Sequence, residues 1–160
     1  MIDNQIKINH IRAFMDSAKA FAKLSKCTRL KVGCVAVKNG TIIAIGWNGL
    51  PPDVEDDSCE YFDDVTEKLV TKYSCRHAEK NMILHLAKSN ESSKDATLVV
   101  THAPCVDCSH MLKDSGFVRV IYGEKFKDMS GVDMLQRHGI RVEQLESDII
   151  NGSNFDDKSR

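Results

Sequence analysis

The sequence predicts an α/β fold whose partly parallel sheet carries helices on both faces. Three observations predict it. From Ala96 to Leu145 the pattern alternates strand, helix, strand, helix, strand, which calls for crossover units. Nearer the N-terminus, two Val/Ile-rich runs flank Asn39-Gly40, the strongest short-range hairpin signal. The chain has 160 residues, 42% of them hydrophobic, which suits one core rather than two. One domain is expected over residues 1–150, with a polar, aperiodic tail over 151–160 expected to be flexible.

Taken in order, residues His10 to Ser25 set Ile11, Phe14, Met15, Ala18, Phe21 and Leu24 on one helical stripe, with Arg12, Asp16, Lys19 and Lys23 elsewhere. Gly33 to Lys38 and Thr41 to Trp47 are the hairpin strands. Trp47-Asn48-Gly49-Leu50-Pro51-Pro52 then breaks regular structure, and an acidic stretch through Asp53, Glu55, Asp56, Asp57 and Glu60 reads as a solvated loop. A helix is expected from Arg76 to Lys88, with an apolar stripe of Ala78, Met82, Ile83, Leu86 and Ala87. The alternating half supplies strands at Ala96 to Thr101, Phe117 to Tyr122 and Ile140 to Leu145, and helices at Cys105 to Ser115 and Gly131 to His138. With the hairpin this makes a mixed sheet of five strands.

The chemistry concentrates in His77-Ala78-Glu79 and Pro104-Cys105-Val106-Asp107-Cys108. One imidazole and two thiolates are a suitable set for a catalytic zinc, which keeps its fourth position open. Pro104 is suited to the start of a helix, where its missing N–H costs nothing. Cys105 and Cys108 then share the first turn, where the helix dipole favours the thiolate. Glu79 lies two residues past His77, turned away from a ligand's direction and suited to a proton carrier beside the attacked centre. A lone Cys-x-x-Cys fits a structural zinc or a redox pair equally well, but such a site has no use for Glu79. In this order and with the proline, the residues match the signature of zinc-dependent nucleobase deaminases.

Beyond that motif the chain resembles the deoxycytidylate (dCMP) deaminases of the cytidine-deaminase-like superfamily, over about residues 10 to 146. The matching stretches are Lys26-Cys27-Thr28-Arg29-Leu30-Lys31-Val32-Gly33, Gly46-Trp47-Asn48-Gly49-Leu50-Pro51, Asp57-Ser58-Cys59-Glu60, His77-Ala78-Glu79-Lys80-Asn81 and Thr101-His102-Ala103-Pro104-Cys105. The resemblance implies a three-layer α/β/α domain with a mixed five-stranded central sheet. It also implies conversion of dCMP to dUMP for thymidylate synthesis, assembly into homo-oligomers, commonly hexamers, and control by dCTP and dTTP.

Zinc on His77, Cys105 and Cys108, with Glu79 as base and later acid, is the expected catalytic centre. A phosphate needs a cation or N–H donors, and Arg29, between the first helix and the hairpin, is the candidate. Asn48, implied by the resemblance, would read the sugar, the Ala103 carbonyl would face the departing amino group, and Trp47, Tyr122 and Phe126 each fit either the core or a place on base or sugar, the core being the commoner use of such a residue. Lys19, Lys23, Lys26 and Lys31 form a basic patch that suits either a triphosphate or solvent, and Lys26, Lys31 and Gly49 form the candidate effector site. Asp53 stands where the family carries a glycine, so a triphosphate there calls for a bridging Mg²⁺. Phe126 replaces a common tyrosine, and Met82 a small alanine. Some relatives carry a second, structural zinc; Cys27, Cys59 and Cys75, with His10 or another ligand, are candidates for one.

A formal net charge of −1 lacks the footprint of a nucleic-acid binder. This weighs against the runner-up, a tRNA adenosine deaminase with the same zinc motif. The motif also fits a free-cytidine or guanine deaminase, and the non-enzymatic reading is a zinc-stabilised nucleotide-binding module without turnover. With no apolar run long enough for a membrane and no basic-then-apolar leader, the expected setting is the cytoplasm, a host's if the source is viral.

Overall fold

The computed structural model describes residues 7–56 and 58–145; the tail expected over 151–160 lies outside them. The chain runs α1 (Ile8–Ala22), β1 (Gly33–Lys38), β2 (Thr41–Trp47), β3 (Glu60–Asp63), β4 (Lys68–Thr71), α2 (Ala78–Leu86), β5 (Thr97–His102), α3 (Val106–Asp114), β6 (Arg119–Glu124), α4 (Ser130–Arg137) and β7 (Arg141–Gln144). The main sheet has five strands in the order β2-β1-β5-β6-β7. β1 is antiparallel to both β2 and β5, whereas β5, β6 and β7 are parallel.

The hairpin forms as its turn residues dictate. Asn39 and Gly40 take φ of 51° and 73°, the left-handed values a tight two-residue connection requires. β5 is buried along almost its whole length, as a strand covered on both faces must be. On one face α1 packs Ile11, Met15 and Ala18 against Val35, Val37, Val99 and Ile121. On the other, Met82 and Leu86 of α2, Leu112 of α3 and Leu135 of α4 cover Cys34, Leu98, Val100 and Val120. The result is three layers, α1, the sheet, and α2 with α3 and α4. Among the described residues no helix is long and apolar enough to cross a membrane.

Two expectations need correcting. The stretch after Pro52 is not only a loop: β3 and β4 pair antiparallel as a separate hairpin, Glu60 opposite Thr71 and Tyr61 opposite Val70. Its alternation is interrupted by Asp63-Asp64-Val65-Thr66-Glu67, which hides the strands among acidic residues. Second, His77 and Cys105 lie outside the helices they precede. Each is an N-cap with extended backbone, so its side chain is aimed by the entry to the helix rather than by a helical turn.

α2 lies very close to β2. A Cβ added to Gly46 would lie 2.3 Å from the Ala78 carbonyl oxygen and 2.7 Å from the Met82 nitrogen. The Asn81 side-chain amide also donates to the Trp47 carbonyl at 2.8 Å, tying the first turns of α2 to the end of β2. Trp47 itself is half-buried and stacks on Phe21, with ring centroids 6.3 Å apart and planes 11° from parallel.

Candidate active site

A cavity of about 560 Å³ opens beyond the carboxyl ends of β5 and β6, where His102 and Glu124 line it. Such a crevice beside parallel strands is where open α/β sheets place their chemistry. The N-termini of α2 and α3 bring His77, Glu79 and Cys105 to it. The His77 Nδ1 atom lies 3.5 Å from the Cys105 sulfur and 3.4 Å from the Cys108 sulfur. Zinc with N and S ligands at about 2.0 and 2.3 Å in tetrahedral array sets an N-to-S edge of roughly 3.5 Å. The three donors, all within 4.8 Å of one another, therefore fit that ion.

Their protonation fits it too. The Cys105 thiol is lowered to about 4, chiefly because the Cys108 thiol hydrogen-bonds to its sulfur; burial opposes this, and the His77 imidazole and the Cys108 N–H at 3.5 Å assist it. Cys108 is pushed up by the same hydrogen bond and by burial beside Glu79. The two shifts thus have opposite directions across one shared hydrogen bond, and a dication bound by both sulfurs favours the thiolate form of each.

Glu79, 4% exposed, sits in the first turn of α2. Burial raises its pKa, against the pull of its own backbone N–H and of His77. A carboxyl that takes up a proton readily beside a metal triad is the group a general base requires.

The other walls hold several of the residues expected from sequence. Arg29, Asn48, Ala103 and Phe126 all line the cavity. The Arg29 guanidinium is exposed, and its Nη1 donates to Thr71 Oγ1 at 3.3 Å. The Asn48 amide is largely engaged by backbone, accepting from Val32 N–H and donating to the Leu30 carbonyl, both at 2.8 Å. Tyr122 does not line this cavity: it is 6% exposed and belongs to the larger core cluster, the alternative to a place on base or sugar. Strand β6 is covered on both faces, so its periodicity does not say which side chains reach the cavity.

The expected effector residues do not converge. Lys31 lines a second cavity of about 790 Å³ with Lys19 and Lys125, and neither Lys26 nor Gly49 lines it. Gly49 instead forms an isolated antiparallel bridge with Arg76. Asp53 is exposed and lines neither cavity.

The three sulfurs of Cys27, Cys59 and Cys75 do cluster, without His10. Cys27 and Cys59 are joined as a disulfide, with the Cys75 sulfur 3.5 Å from that of Cys27. A metal on all three would need that bond reduced.

Sequence reasoning misses Glu60, Thr71, His102, Lys125 and Lys127, all of which line the main cavity. The lysines flank Phe126, and His102 lies inside a matching stretch, so each is next to a residue that the sequence does single out. Glu60 also ends a matching stretch, Asp57-Ser58-Cys59-Glu60, yet its charge reads from sequence as loop acidity. In the fold its carboxylate accepts from Thr28 N–H at 3.1 and 3.2 Å, Thr28 Oγ1–H at 3.1 Å and Arg29 N–H at 3.2 Å. Burial works against its charge, yet these donors lower its pKa on balance. Its contribution to stability is therefore present above the ordinary carboxylate pKa and is lost as pH falls through the lowered value.

A three-layer fold with an imidazole, two thiols and a buried carboxylate at paired helix N-termini defines a zinc hydrolase of the cytidine-deaminase type. Residues 8–124 match the model of the cytidine and deoxycytidylate deaminase zinc-binding region. The chain belongs to that family. It is 32% identical to the ComE operon protein 2 of Bacillus subtilis, over 89% of this chain and 74% of that one. It is 30% identical to the deoxycytidylate deaminase of Saccharomyces cerevisiae over 82% of this chain, spanning only 43% of the yeast protein. Among solved structures, the dCMP deaminase of cyanophage S-TIM5 in complex with dCMP and dUMP superposes with a TM-score of 0.82 at 38% identity, covering 88% of this chain and 99% of that one.

Proposed function

We propose that the chain hydrolyses dCMP to dUMP and ammonia, supplying dUMP for thymidylate synthesis. The observation that carries this is the sharing of one cavity by an arginine, a buried carboxylate, and His77 and Cys105 of the metal triad. The cyanophage relative, captured with dCMP and dUMP, supports the same substrate.

His77, Cys105 and Cys108 would hold zinc. When bound, that ion supplies the Lewis acidity that brings a water's pKa from 15.7 to about 7. Glu79 takes a proton from the attacking water and delivers it to the ring nitrogen beside the attacked carbon. The Ala103 carbonyl faces the departing amino group, the remaining Asn48 amide hydrogen reads the sugar, and Phe126 packs on base or sugar. Arg29 holds the phosphate, and its charge-assisted hydrogen bonds favour a monophosphate over a free nucleoside.

The same proposal includes a homo-oligomer, hexameric by family resemblance, binding of dCTP or dTTP with Mg²⁺, and a second, structural zinc on Cys27, Cys59 and Cys75 in their reduced form. A reducing cytoplasm suits thiolate ligands.

The test is ammonia release from dCMP, deoxycytidine, CMP and dCTP by zinc-loaded protein, with zinc per chain, mass in solution and response to dCTP–Mg²⁺ measured alongside. Preference for dCMP is expected, with loss of turnover on chelation and recovery on adding zinc. Zinc bound with silence on all four substrates would overturn the reading in favour of a tRNA deaminase or a non-catalytic module. In Arg29→Ala, KM for dCMP should rise roughly tenfold or more, the size of a lost charge-assisted contact, while KM for deoxycytidine stays put. An equal rise for both would remove Arg29 from the phosphate.

A further inference from the structure

Glu60 is a carboxylate in the wall of a cavity assigned to an anionic substrate, and the deamination chemistry gives it no part. It is 5% exposed. By charge alone it opposes phosphate binding, so its place there needs another cause.

The three groups that donate to it supply that cause. All belong to Thr28 and Arg29, so the carboxylate fixes the backbone from which the Arg29 side chain springs. Thr71, the partner of Glu60 across the β3–β4 hairpin, accepts from the guanidinium of the same arginine. One pair of facing residues therefore holds Arg29 at both ends. Cys27 and Cys59, next to Thr28 on one segment and Glu60 on the other, tie the same two segments whether as the disulfide or as ligands of one shared metal.

We propose that Glu60, seconded by Thr71, is a positioning residue for the substrate's phosphomonoester: it acts through Arg29, and the β3–β4 hairpin sets the enzyme's preference for a 5′-phosphorylated nucleoside. The proposal rests on the assignment of Arg29 to the phosphate. It makes a prediction opposite in sign to simple electrostatics. Glu60→Gln removes a negative charge, which would tighten phosphate binding if charge were its whole role. A glutamine, however, presents one acceptor and an NH₂ group to three donors, so the Thr28–Arg29 backbone loses its anchor.

The measurement is KM and kcat of zinc-loaded Glu60→Gln on dCMP and on deoxycytidine, with zinc per chain as a check of the fold. KM for dCMP should rise roughly tenfold, as for lost hydrogen bonds to a charged group, while KM for deoxycytidine and both kcat values stay within about threefold. Adding Arg29→Ala to Glu60→Gln should cost less than Arg29→Ala alone, because the two act as a unit. A fall or no change in KM for dCMP, or an equal rise on both substrates, overturns the proposal. Should Glu60→Gln fail to fold, Thr71→Val decides: it removes only the guanidinium's acceptor, and a rise of a few fold confined to dCMP is expected, against no change. Arg29→Ala selective for dCMP beside an inert Glu60→Gln refutes Glu60 alone; Arg29→Ala that is not selective refutes the arginine reading itself.

Discussion

Glu79→Gln is expected to fold and bind zinc at the wild-type stoichiometry yet turn over dCMP at least about 10²-fold more slowly, the usual size of a lost general acid–base group. Glutamine fills the same buried space at the start of α2 and leaves His77, Cys105 and Cys108 untouched, so metal content separates loss of chemistry from loss of the site. Turnover within tenfold of wild type would end the proton-carrier role.

The burial that raises the Glu79 pKa sets two further signs. The base form disappears as pH falls through a value above that of a free glutamate, about 4.3, so the acid limb of kcat/KM should begin above that pH. A carboxyl with a raised folded pKa also costs stability, a cost that sets in as pH rises past the unfolded value and is complete above the folded one. Metal-free Glu79→Gln should thus be at least as stable as metal-free wild type at pH 7, and the difference should vanish in acid.

The second large effect is structural. Gly46→Ala puts a methyl group 2.3 Å from the Ala78 carbonyl oxygen, and neither strand β2 nor helix α2 can yield there by turning a side chain. Overpacking of this kind typically costs 1–3 kcal/mol, and a backbone-to-backbone clash belongs at the upper end, about 3 kcal/mol. For a chain of this size that lowers Tm by roughly 10 °C. Because Ala78 lies between His77 and Glu79, α2 cannot retreat without moving both, so zinc affinity should fall in step with Tm. A Tm within about 2 °C of wild type would show that the layers separate more easily than their packing implies.

Much of the fold and of the metal site is legible in local signals of the sequence. Asn39-Gly40 specifies its hairpin, and Pro104-Cys105 with Cys108 specifies the helix N-terminus that presents two sulfurs. The metal triad is readable because its ligands occur in two short clusters. What the sequence hides depends on long-range contacts. The amide of Asn48 looks free in a glycine-flanked turn, but the Leu30–Val32 backbone engages it. Tyr122, near the end of a strand, fits either the site or the core by sequence, and the fold puts it in the core cluster. Glu60 and Thr71 meet Arg29 only because a second hairpin folds back over the loop after α1, and nothing near residue 29 announces a partner some 30 or 40 positions on.

The β3–β4 hairpin shares no strand with the five-stranded sheet. Residues can be added to or removed from its tip without shifting the register of any strand of the main sheet, and the catalytic residues stand at the starts of α2 and α3. On the proposed assignment of Arg29 to the phosphate, the hairpin that braces the outer end of the substrate can therefore vary separately from the helix N-termini that carry the metal site. In a graft of this hairpin between family members, the metal site would stay as it is and the choice of nucleotide would travel with the insert.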